Sequence, residues 1–192
     1  TCSYKFTQDM GVVNDEWLKY EKGLREKNIT KTEIDFLKKD WLLLDAKKYY
    51  IKDNFDFIIE TIGIYTNFKL VEMGCNVLIS KLNKLSTILK NKEDLITESD
   101  NMLENSYDIK LENEDYTIGK VLEYILYNKY FTEEQILTYC GFIKQHPHNN
   151  YSIIRCAFKN IVNNTDILLY LDNSIKIALE IFKKILDMFS EE

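Results

Sequence analysis

Four cysteines, at positions 2, 75, 140 and 156, are the residues of this 192-residue chain with the widest choice of chemistry. A thiol can bind a metal, act as a nucleophile or pair in a disulfide. No Cys-x-x-Cys or mixed Cys/His ligand spacing occurs, so no metal site is expected. Cys140 lies seven residues before Pro147 and Cys156 nine after it. If Pro147 marks the bend of a helical hairpin, each stands about 10–13 Å from the turn at 1.5 Å per residue. Cys140 and Cys156 are therefore candidates for a disulfide, against the plainer reading of two small thiols buried in a core. His146 and His148 flank the proline, but two imidazoles fall short of a stable ligand set, and a solvated turn accounts for them. The six glycines stand too far apart for a phosphate loop, and Asp53-Asn54-Phe55-Asp56 lacks the glycine and distal Glu of a calcium loop. Carboxylates such as Glu60 and Glu72 read as members of charged helix faces. No catalytic residue and no cofactor is assigned, and the chain is read as non-enzymatic.

The tyrosines carry more. Among thirteen, Tyr49, Tyr50, Tyr65, Tyr124, Tyr127, Tyr130, Tyr139, Tyr151 and Tyr170 fall on or beside apolar stripes. A buried hydroxyl without a partner costs about 1–3 kcal/mol. Lys48, Tyr65, Asn128 and Tyr139 are therefore expected as polar intrusions near a core. They either snorkel at its rim or leave it metastable and able to open towards a membrane or partner.

The elements that must position these residues read as helices. Thr30-Lys31-Thr32-Glu33 fits a capping box, and Ile34, Leu37, Trp41 and Leu44 follow at helical spacing. Ile51, Phe55, Ile58, Ile62 and Tyr65 extend the stripe, which resumes as Phe68, Cys75, Leu78, Leu82, Leu85 and Leu89. An unbroken helix over 30–90 would span about 90 Å, so a break is expected near Lys47–Asn54. Thr132-Glu133-Glu134-Gln135 is a second capping-box match, ahead of Ile136, Tyr139, Cys140 and Ile143; Gln145–Asn150 is the clearest turn. Ile154, Ala157, Phe158 and Ile161 precede a last helix from Leu168 to Phe189. One proline and six glycines argue against a fold of many turns and strands. The expected architecture is all-α: an antiparallel bundle of about four long helices with kinks or short breaks, forming one domain over 1–192.

Net charge is −6, concentrated in Asn91–Asp115, where nine acids meet only Lys92 and Lys110. This segment reads as an acidic connector holding a short helix. No basic stripe is present, so nucleic acid is not an expected partner. The longest charge-free stretches, Thr61–Phe68 and Met73–Ser80, fall far short of the roughly 20 residues of a membrane-spanning helix. The first residue is Thr1 rather than Met, which is read as a cleaved signal peptide or a trimmed end.

The bias towards Lys, Asn, Ile and Tyr, as in Lys81-Leu82-Asn83-Lys84-Leu85 and Tyr124-Ile125-Leu126-Tyr127-Asn128-Lys129-Tyr130, looks like an AT-rich parasite genome. In length, helical class and composition the chain resembles the SPECT family of Plasmodium sporozoites. That resemblance implies a secreted, micronemal, non-enzymatic helical bundle that acts in host-cell traversal by contact with a host-cell membrane or with a host or parasite surface protein. It transfers no site residue. The composition is also similar to that of poxviral Bcl-2-like inhibitors, which would imply a groove for a host regulatory helix, although no Asn-Trp-Gly-Arg segment is present.

Overall fold

The computed structural model describes residues 1–91, 95–100 and 102–189. Among them, four residues other than glycine take a positive φ: Asn28 (56°), Asn105 (50°), Asn113 (57°) and Gln135 (53°). Asn tolerates this left-handed region because its short amide bonds locally to the backbone. A count of glycines and prolines therefore understates the turns of this chain, and the turns admit strands. The protein is mixed α/β, with two antiparallel sheets, and not an all-α helical bundle. The chain divides into two compact units, Thr1–Asn67 and Phe68–Glu192.

In the first unit Cys2–Gln8 alternates apolar and polar residues and forms strand β1. Asp9 then caps helix α1 (Met10–Glu26), its Oδ1 accepting the Gly11 and Val12 N–H groups at 3.1 Å each. Helix α2 (Lys31–Leu43) begins at the expected capping box, where Glu33 Oε2 accepts from the Thr30 N–H at 3.1 Å. A 3₁₀ turn (Asp45–Lys48) leads into strand β2 (Tyr50–Ile59). The expected helical stripe from Ile51 onward is thus a strand. It runs antiparallel to β1, with Tyr4 opposite Phe57 and Phe6 opposite Phe55. The small core of the unit joins Val13, Trp17 and Leu24 of α1 to Ile34 and Trp41 of α2 and to Ala46, with the two indole rings 5.5 Å apart.

The second unit opens with helix α3 (Asn67–Asn91), whose Cys75, Leu82, Leu85 and Leu89 are buried. Strands β3 (Ile96–Glu98) and β4 (Ser106–Glu112) occupy the segment expected to be an acidic connector; Lys92, Glu93, Asp94 and Asn101 lie outside the described residues. Its acids have separate tasks: Glu114 pairs with Lys81 at 3.0 Å, and Asp115 caps helix α4 (Tyr116–Leu126) through the Thr117 N–H. A π-helical segment (Tyr127–Glu133) follows, so the second capping-box match ends a helix where it was expected to start one. Strands β5 (Leu137–Ile143) and β6 (Tyr151–Phe158) flank the expected turn, closed by Asn149 N–H to the His146 carbonyl at 3.0 Å. Helix α5 (Asn164–Phe189) follows β6.

The sheet order is β3-β4-β6-β5. Tyr107, Ile109 and Leu111 of β4 and Ile154, Cys156 and Phe158 of β6 point to one face. There they meet Leu82, Leu85 and Leu89 of α3, Ile118 and Leu122 of α4, and Ile167, Leu171 and Ile175 of α5. On the other face Asp108 and Arg155 stand opposite each other and form a bidentate pair, Nε–Oδ1 2.6 Å and Nη2–Oδ2 2.7 Å.

Candidate functional site

Five aromatic rings crowd one face of the β1–β2 ribbon. Residues directly opposite across an antiparallel pair share a face, so the register puts Tyr4 with Phe57 and Phe6 with Phe55. Tyr50 joins them at the far end, its ring 4.3 Å from that of Phe6. Phe6 and Phe55 lie 4.9 Å apart, and Tyr4 is 6.3 Å from Phe57. Such pairs contribute about 0.2–1 kcal/mol each to holding the strands together. Yet the rings remain open to solvent: Tyr4 is 62% exposed and Phe57 68%. Phe6, Phe55 and Tyr50 are 40%, 41% and 38% exposed. An aromatic side chain carries about 150–250 Å² of surface, which leaves on the order of 500 Å² of aromatic area uncovered. Patches of that size on a folded protein often mark a contact site.

The opposite face of the ribbon is polar, with Lys5 and Asp56 at 3.8 Å and the Thr7 hydroxyl donating to Asn54 Oδ1 at 3.1 Å. Lys5 and Lys52 balance Asp53 and Asp56, so the two strands are neutral. Each strand has one neighbour in this sheet, and its outer edge has no strand beside it among the described residues. Two strands alone are marginal in water; a third strand or a covering layer completes such a sheet.

The residues singled out in the sequence lie elsewhere. Lys48 is at the surface, 3.6 Å from Asp45 and over the Tyr49 ring at 5.3 Å, and does not intrude on a core. Tyr65 is exposed, and Asn128 is half-buried in the π-helical segment. Tyr139 stands on the outer face of β5, also exposed, with its hydroxyl folded over Gly141. Tyr130 is the buried intruder: among the described residues its hydroxyl is the buried side-chain polar atom left without a hydrogen-bond partner. His146 and His148 sit in the exposed β5–β6 turn, their rings 5.1 Å apart. Among the described residues no three His, Cys, Asp or Glu converge as a metal site. Cys140 and Cys156 do come together, opposite each other on β5 and β6 with Sγ atoms 3.9 Å apart. They meet in a β-hairpin rather than the expected helical one.

The aromatic ribbon is hidden in the sequence because Ile51, Phe55, Ile58, Ile62 and Tyr65 also satisfy a helical spacing. The alternation Tyr4-Lys5-Phe6 and the pair Phe55-Asp56-Phe57 were the available signals. Among the described residues no helix is long and apolar enough to cross a membrane. The mixed α/β fold also removes the helical bundle on which the expectations of secretion, cell traversal and a malarial sporozoite origin were built, and no finding supports them. No protein-family model matches the chain, and no curated protein matches it.

Proposed function

We propose that the protein is a non-catalytic binding protein, and that the β1–β2 ribbon takes an extended segment of a partner protein as an added strand. The observation that carries this reading is the exposed five-ring face on a two-stranded sheet whose outer edges pair with no further strand among the described residues. Main-chain hydrogen bonds along an edge supply affinity in such docking, and alternate side chains on one face supply selectivity. The partner segment then carries aromatic or β-branched residues at every second position, set against Tyr4 and Phe57. A neutral ribbon offers no electrostatic attraction to anionic lipid, which favours a peptide over a membrane surface.

A phage-displayed random-peptide library, selected on the full chain, tests this. The expected result is enrichment of segments with an alternating aromatic pattern, lost in a Tyr4→Ser/Phe57→Ser variant that keeps its circular dichroism. Enrichment that survives the double substitution, or none at all, overturns the proposal. So does binding to phosphatidylcholine/phosphatidylserine vesicles that depends on the same rings, or a dimer that the substitutions abolish. Lipid or a second copy would then be the occupant.

A further inference from the structure

The two thiols on β5 and β6 are placed for chemistry that the binding surface does not use. Cys140 and Cys156 are register partners, and the Cys156 thiol reaches Cys140 Sγ at 3.9 Å. The hydrogen-bond parity of the hairpin decides how close their backbones come. The Phe142 N–H points off the sheet edge to Glu123 Oε1 at 3.0 Å, so Phe142 and Ile154 face each other as a pair without mutual backbone hydrogen bonds. Parity alternates along an antiparallel ladder, and the register shift of this hairpin lies before Tyr139. Cys140 and Cys156, two positions on, are therefore also a non-hydrogen-bonded pair. Such pairs have Cα atoms about 4.5 Å apart, inside the roughly 4.4–6.8 Å that a disulfide spans. The two sulfurs also differ in access. Cys140 is half-buried on the edge strand, its thiol directed to the Glu123 carbonyl at 3.8 Å, while Cys156 is 1% exposed in the core.

We infer that Cys140 and Cys156 form a redox-active cross-strand dithiol, in which Cys140 takes up a low-molecular-weight disulfide and Cys156 resolves the adduct into an intramolecular disulfide. The Cys140 thiolate attacks one sulfur of the small disulfide, forming a mixed disulfide and expelling one thiolate. The Cys156 thiolate then attacks Cys140 Sγ and expels the second. Two protein thiols and one small disulfide become one protein disulfide and two small thiols; the electron pair passes to the small disulfide, and the two protons to its thiolates. In the reduced chain the hydrogen bond to Cys140, and after it burial, holds the Cys156 thiol well above its usual range. Burial acts on Cys156 in the adduct as well, so the resolving step, which needs the thiolate, quickens as pH rises.

The test is incubation of the full reduced chain with oxidised glutathione at neutral and alkaline pH, followed by alkylation, intact mass and peptide mapping. A bridge linking Cys140 to Cys156 is expected, with a transient glutathione adduct on Cys140 and faster closure at the higher pH. In a Cys156→Ala variant the adduct on Cys140 should persist. A Cys140→Ser variant, a near-isosteric change at the rim of the core, should show neither bridge nor adduct at Cys156, and so tests the order of attack independently. A lasting adduct on Cys140 of the unsubstituted chain overturns the inference, as does the absence of any reaction there, or a bridge through Cys2 or Cys75.

Discussion

Gly119 shows how single atoms set the spacing between a helix and a sheet. A Cβ built on it would lie 1.9 Å from Phe142 Cε2, because α4 rests directly on the ring that β5 sends up. That ring is held in turn by Tyr116, 5.3 Å away. Gly119→Ala should therefore lower urea stability by about 1–3 kcal/mol through overpacking, despite a gain in helix propensity of about 1 kcal/mol. In a double-mutant cycle with Phe142→Ala the cost should shrink, and a strictly additive result would refute the contact. Asp108 supplies a second test at this scale. Its hydrogen bonds from Arg155, and secondarily from Ser99, hold its carboxyl below the usual carboxylate range. A depressed folded value means the contribution is complete above the unfolded value near 3.9 and is lost as pH falls through the folded one. Asp108→Asn should weaken the fold by about 1 kcal/mol at neutral pH and flatten the acid limb of the stability profile. Some acid dependence should remain, since Glu33 is also held low by the Thr30 hydroxyl. Parallel acid limbs in the two proteins would count against the pair.

At the level of elements, the helices were legible and the strands were not, and the cause is the wealth of apolar residues. Around β5, Ile136, Tyr139, Cys140 and Ile143 satisfy a three-four spacing, while Cys140 and Phe142 alternate with Tyr139 and Gly141 at a period of two. Strand β4 was plainer: Ser106-Tyr107-Asp108-Ile109-Lys110-Leu111-Glu112 alternates strictly, but its charge drew attention ahead of its period. The capping box at Thr30 marked a real helix start because it carries a specific hydrogen-bonding task. The Cys140–Cys156 pairing was legible for a reason independent of secondary structure, since the arms on either side of Pro147 are nearly equal in any hairpin. Its consequence is an edge strand that can be stapled to its neighbour. Closing a loop between residues 16 apart stabilises by about 3 kcal/mol in the chain-entropy account. The oxidised protein should thus unfold at a higher urea concentration than the reduced one. An unchanged midpoint would mean that the reduced hairpin is already as restricted in the unfolded chain.

Across the whole molecule, the aromatic wealth that marks the sequence as ordered is divided by purpose. The rings of the second unit are partly spent in its core, where Tyr107 and Phe158 are buried, while those on the ribbon remain outside. No residue belongs to both hydrophobic cores: one gathers Val13, Trp17, Leu24, Ile34, Trp41 and Ala46, the other runs from Leu82 to Ala178. Both tryptophans of the chain sit in the smaller core. Indole fluorescence therefore reports the first unit alone, whereas far-ultraviolet circular dichroism sums helices and strands of both. Trp41→Ala removes a ring 8% exposed and packed on Trp17, a loss of about 3–5 kcal/mol. That is a large share of what so small a core can supply. Leu122→Ala removes a fully buried side chain of the larger core at about 2–5 kcal/mol. The Leu122 variant should lower the circular-dichroism midpoint while leaving the fluorescence midpoint in place. The Trp41 variant, followed through the remaining Trp17, should lower the fluorescence midpoint and shift only the share of the circular-dichroism change that the first unit contributes. Equal shifts of both signals in both variants would show the two cores melting as one cooperative body.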